Sequence, residues 1–167
     1  MLAAIVAVAL VGSLGGVWLL GAHELAGAGD RLTAPGAVGQ TFYTGIPLFP
    51  ARGGPGSTTR IDLKSVTPKI AENSADATVE IMACSGPKSF DITGGGDATD
   101  LSSYCPGLTP FRSGSFIVGA RSTTGVVMAI TPRRAGTTHI EGSYVSYWHR
   151  LRHGRQHVGY DVVINTK

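Results

Sequence analysis

The chain of 167 residues carries 14 Lys and Arg against 11 Asp and Glu, a formal net charge of +3, with charged residues making up only 15% of the total. That balance excludes a highly charged disordered tail, and much of the shortfall from the usual ~25% charged content lies in one apolar block at the N-terminus. What remains is long enough for one domain of ordinary size with a core of its own.

The block comprises residues 1–22 (MLAAIVAVALVGSLGGVWLLGA) and contains no ionisable side chain. As a helix rising about 1.5 Å per residue it would measure ~33 Å, matching a hydrocarbon core of ~30 Å. It is predicted to be a retained transmembrane anchor, which makes the membrane a partner. The rival reading is a cleaved secretory signal, for which Ala26-Gly27-Ala28 offers a small-residue cleavage site. Against cleavage, no Lys or Arg precedes the apolar stretch, and the stretch exceeds the roughly 7–15 residues of a signal core. Arg31 alone lies close to either end, and taken literally it would turn the domain toward the cytoplasm. The cysteines argue for the opposite side.

Residues 23–40 (HELAGAGDRLTAPGAVGQ) turn to Gly, Ala and isolated polar residues, a composition that cannot fold alone, and are expected to form a flexible linker. From residue 41 onward, runs of strand character alternate with Gly/Pro turns. They cover residues 41–47, 58–66, 78–84, 90–93, 115–121, 125–131, 137–148 and 156–165. Period-two alternation and β-branched enrichment predict an all-β antiparallel sandwich of about seven strands over residues 41–167. No later stretch keeps an apolar 3.6 period for three turns.

Cys84 and Cys105 are the only two cysteines, separated by 21 positions across a polar, Gly-rich segment. A disulfide between them is the economical reading; two unpaired buried thiols are the alternative. A disulfide requires an oxidising compartment, which places the domain outside the cytoplasm, at the cell membrane.

Toward the C-terminus, residues 136–167 read as two long strands joined by a charged hairpin. His149, Arg150, Arg152, His153, Arg155 and His157 fall within nine positions, with Arg133 and Arg134 nearby in sequence. Five of the 14 basic residues thus lie within 23 positions that hold one acid, Glu141. Three readings stand. Arg133, Arg134, Arg150, Arg152 and Arg155 could form a patch for polyanions such as lipid headgroups or wall polymers, since guanidinium suits phosphate. His149, His153 and His157, at i, i+4 and i+8, would align as metal ligands on a helix, although Gly154 and the strand-like flanks oppose one. The third reading is a solvated hairpin whose charges protect a sheet edge.

No nucleophile elbow, zinc-protease, P-loop, dinucleotide or paired-carboxylate signature occurs, so no catalytic residue is assigned and no cofactor or nucleic-acid partner is expected. Gly94-Gly95-Gly96-Asp97 is read as a flexible loop with nothing helical behind it.

The runs GIPLFP, TTRIDLKSVTPKI, ATVEIMAC and IEGSYVSYWHRLRHGRQHVGYDVVINT, behind an apolar N-terminus and an Ala/Gly-rich stretch, resemble small membrane-anchored, immunoglobulin-like proteins of high-GC bacteria. The resemblance implies an immunoglobulin-like sandwich outside the cytoplasm and carries no catalytic residue across. Together these readings predict a non-catalytic, membrane-tethered extracytoplasmic binding or accessory module, with a structural subunit of a larger membrane complex as an intermediate option. Its expected partners are other membrane proteins or anionic envelope polymers, and an enzyme subunit with an unrecognised site is the alternative.

Overall fold

The computed structural model describes residues 22–52, 56–87, 89, 95–119 and 122–167. The expected transmembrane helix lies outside these residues except for Ala22, and among the described residues no helix is long and apolar enough to cross a membrane.

Among the described residues ten strands and one short helix follow in chain order: β1 (Ala28–Gly36), β2 (Phe42–Ile46), β3 (Thr58–Asn73), β4 (Thr78–Ser85), β5 (Gly95–Gly96), α1 (Ala98–Ser102), β6 (Gly107–Pro110), β7 (Gly114–Gly119), β8 (Thr124–Thr131), β9 (Gly136–His149) and β10 (Arg152–Thr166). They form two five-stranded sheets, ordered β1-β10-β9-β3-β7 and β5-β2-β8-β4-β6. Every pairing is antiparallel except β1 with β10. The all-β expectation holds, with β1, β5 and β6 added to the strands legible in sequence, while the strand expected at 90–93 lies outside the described residues.

The inner faces meet over one core. From the first sheet it takes Ile61, Leu63, Phe116, Val118, Ile140, Val145, Tyr147, Val158, Val162 and Ile164, and from the second Ile46, Val126, Met128 and Ile130. In β9 the inward set changes from odd numbers (Val145, Tyr147) to even ones (Thr138, Ile140). Gly142, at φ 68°, absorbs that change where the β9–β10 register slips. A bulge of this kind is the way a long strand re-aims its side chains.

Strand β8 is buried on both faces, which explains its near-continuous apolar run. Val127, on the side away from the main core, packs with Leu101, Cys84 and Cys105. The Cys84–Cys105 disulfide, with Cα atoms 5.3 Å apart, clips α1 over this outer face of the second sheet. The Gly94–Asp97 run differs from its expected form. Gly95 and Gly96 pair with Thr44 and Tyr43, and a five-residue helix does follow. Its leading N–H groups, those of Thr99 and Asp100, are taken by the Asp97 carboxylate at 2.8 and 3.1 Å. The anion there is the protein's own. Gly94 lies outside the described residues.

The expected linker, residues 23–40, contains β1, which pairs in parallel with β10 from Ala28 opposite Gly159 to Gly36 opposite Thr166. A segment too polar to fold alone is ordered here because a preformed strand edge satisfies its backbone and the core accepts Leu32 and Leu25. Arg31 and Asp161, register partners across this seam, form an ion pair at 2.7 Å.

Candidate functional site

Strands β9 and β10 are joined by a two-residue loop, Arg150 and Leu151, closed by the pairing of His149 with Arg152. Arg150 sits in the left-handed region at φ 56°. Turns of this length favour Gly or Asn where φ is positive, so an Arg–Leu tip carries a conformational cost that such residues would not. Leu151 is 73% exposed and Trp148, one residue before the closing pair, is 40% exposed.

The strand period then sorts the basic residues. Gly154 and Val158 are buried and Gln156 reaches Leu25, so the even positions of this half of β10 face inward. His153, Arg155 and His157 face outward, opposite Trp148, Ser146 and Tyr144 of β9. The His153 ring meets the Trp148 ring edge-on at 5.5 Å, and the His157 ring lies 5.3 Å from that of Tyr144. Arg155 places its guanidinium 4.8 Å over the Tyr144 ring. Such a cation over an aromatic face keeps its charge and donors while its orientation is fixed.

Arg152, by the same alternation, turns to the inner side of the hairpin, where its charge acts on the Tyr147 phenol. Arg133 and Arg134 lie in the β8–β9 connection at the other end of β9. A strand of 14 residues separates them from the turn, about 45 Å of extended chain. Their backbone N–H groups both bond the Ala75 carbonyl at 3.1 Å, and Arg134 Nε donates to the Ser74 carbonyl at 2.9 Å. The five arginines gathered by sequence proximity are therefore two groups at opposite ends of the sandwich.

The three histidines are also kept apart in role. His149 Nδ1 pairs with Glu24 Oε1 at 3.0 Å, His153 lies against Trp148, and His157 Nε2 bonds the Glu141 carbonyl. They stand on two antiparallel strands and not on one helix face. No cluster of three His, Cys, Asp or Glu suited to a metal occurs among the described residues.

Sequence reading missed several residues at this end. Asp62 pairs with Trp148, and β3 runs antiparallel to β9, so Arg60, two positions on and on the same face, stands level with the hairpin turn. Its partner on β7 is Ile117, 43% exposed between buried Phe116 and Val118. The alternation of Arg60, Asp62 and Lys64 with Ile61 and Leu63 carried the facing of Arg60. Only the β3–β9 register could set its height.

Beneath the hairpin lies a buried polar cluster that seats the incoming chain. The Ala22 N–H donates to the His153 carbonyl at 3.0 Å. The fully buried Tyr147 hydroxyl accepts the Glu24 N–H at 2.8 Å and lies 3.0 Å from the Ala22 carbonyl, with Gln156 Oε1 also against it. The Gln156 amide pairs with Leu25 as a strand would. Its Oε1 accepts the Leu25 N–H at 3.0 Å and its Nε2 donates to the Leu25 carbonyl at 2.8 Å. Burial pushes the Tyr147 phenol above its usual range, despite the hydrogen bond from the Glu24 N–H. Gly154 is required here, because a Cβ would stand 2.5 Å from Tyr147 Cζ and 2.7 Å from the Ala22 oxygen.

At the far end, an open depression of about 210 Å³ is lined by Pro35, Gln40, Thr41, Phe42, Asp97 and Ile164. Asp97, its one carboxylate, is already engaged in capping α1. No protein-family model, curated protein or solved structure matches the chain.

Proposed function

We propose that the protein is a non-catalytic extracytoplasmic module, tethered to the membrane through residues 1–22, that binds an anionic envelope polymer on the outward face of β9 and β10. The observation that carries this reading is the seat of Ala22. The residue directly after 21 positions without an ionisable side chain is fixed beside the aromatic and cationic hairpin. A Cys84–Cys105 disulfide favours an oxidising compartment. Arg155 over Tyr144, flanked by His153 and His157, offers charge and flat apolar surface together, a combination suited to phosphate or carboxylate groups carried on a polymer.

An immunoglobulin-like topology is the finer reading of the fold. Orders β2-β8-β4 and β3-β9-β10 correspond to B-E-D and C-F-G of that plan, in the same chain order. Two departures accompany it: β1 joins the β10 edge, and the insertion between β4 and β8 supplies β5, β6, α1 and β7. The disulfide clips this insertion and does not bridge the sheets.

The test uses the full chain in membranes. Resistance to alkaline extraction is expected, with the domain open to protease from the external side. Polyphosphate, as a probe polyanion, should bind in a manner that weakens with salt, because exposed charges are screened over ~8 Å at physiological ionic strength. Arg155→Gln should weaken binding, and Arg133→Gln/Arg134→Gln, at the other end, should leave it unchanged. Binding indifferent to salt and to Arg155 would overturn the assigned face.

A further inference from the structure

We infer that the tip of the β9–β10 hairpin docks on the anionic surface of the bilayer that residues 1–22 enter, holding the sandwich at a fixed orientation to the membrane. The inference rests on the tethered reading and adds to it a second, reversible membrane contact.

Chain direction carries the argument. Strand β1 runs parallel to β10, and β10 runs away from the turn, so the chain reaches β1 from the hairpin end. Ala22, bonded to the His153 carbonyl, lies one residue beyond the first pair of the hairpin. Ala22 therefore stands at the turn, so a bilayer entered by residues 1–22 would lie next to Arg150 and Leu151.

The chemistry of the tip fits that neighbour. At the level of the turn stand Arg60 and Arg150, with Arg152 on the inner side, and among them the exposed apolar side chains of Leu151, Trp148 and Ile117. An aromatic ring with arginines around it is the composition of the headgroup boundary, where indole is amphipathic and guanidinium meets phosphate. Trp148 lies two to three residues from the tip, within the ~5–10 Å to which interfacial elements sink. Among the described residues the acids at this end are Glu24, paired with His149, and Asp62, beside Trp148. Positive charge is left in excess. The left-handed φ of Arg150 points the same way, since strain of this kind persists where function retains it.

The experiment reads Trp148 in the full chain, reconstituted in vesicles, with Trp18→Phe removing the only other indole. Lipids brominated near the head of the acyl chain should quench Trp148 in phosphatidylglycerol vesicles and much less in phosphatidylcholine. High salt should reduce the quenching. Arg150→Gly suits the left-handed turn better than Arg does, so the fold is kept, yet the docked-to-free ratio should fall about fivefold for the lost charge. Leu151→Ser should lower it further. Quenching equal in the two lipids, or unmoved by both variants, in a chain that still resists alkaline extraction, would overturn the docked tip and leave the tether standing. Release of the chain by alkali would overturn the tether itself.

Discussion

The phenol oxygen of Tyr147 accepts the backbone N–H of Glu24 at 2.8 Å, joining positions 123 residues apart. One buried hydroxyl thereby fixes the chain that enters the domain to the hairpin that forms its candidate surface. Tyr147→Phe leaves that N–H without its acceptor in a part-buried cluster, and the expected loss is about 1–3 kcal/mol. Chemical denaturation of the two proteins, compared at the midpoint, checks it; an unchanged midpoint would mean that water replaces the hydroxyl. The phenol is held above its unfolded value of 10.0 by burial. Its contribution is therefore fully present below pH ~10 and is lost as pH rises through the folded value, and in the Phe variant that alkaline loss should be smaller.

The seam between β1 and β10 should be the acid-sensitive part of the first sheet. Burial works to raise the Asp161 carboxyl, but hydrogen bonds from Arg31 and His139, and their charges, hold it net below its ordinary value of 3.8. A depressed carboxyl stabilises the fold above the unfolded value and loses that effect as pH falls through the folded one. Both partners are partly exposed, so the contribution is no more than about 1 kcal/mol. The protection of amides in residues 31–36, measured against the intrinsic exchange rate at each pH, should fall below pH ~4 in the wild type, and Asp161→Asn should show the lower protection already at neutral pH. Equal protection of the two proteins at pH 7 would show that backbone pairing alone holds β1.

The Cys84–Cys105 bridge closes a loop whose ends are 21 positions apart and keeps Leu101 over Val127. Its removal by Cys84→Ser/Cys105→Ser should cost roughly 3 kcal/mol on the chain-entropy account. The damage should stay local, because the main core lies on the other face of β8. Faster amide exchange in residues 98–110, with β9 and β10 unchanged, is the expected pattern. Mapping of the untreated protein by non-reducing digestion should recover the bridged peptide pair, and alkylation of both thiols before reduction would remove the bridge from the account.

The sequence by itself determined the all-β class and the disulfide partners, because both depend on short-range signals. Ile61 and Leu63 alternate with Arg60, Asp62 and Lys64, and Val145 and Tyr147 with Tyr144, Ser146 and Trp148, so period two was visible within each strand. The cysteines admitted a single pairing. What the sequence left undetermined was everything set by pairing between distant segments. Residues 23–40 looked like a linker because their order comes from the β10 edge and from Tyr147 and Gln156, more than 100 positions away. The arginines looked like one patch because proximity along the chain ignores the length of β9. The tertiary structure divided them, sending Arg133 and Arg134 to the far end, turning Arg152 inward and Arg155 outward, and raising Arg60 to the level of the turn. Alternation tells which side of a strand a residue takes, but only register and strand direction tell which residues share an end of the molecule.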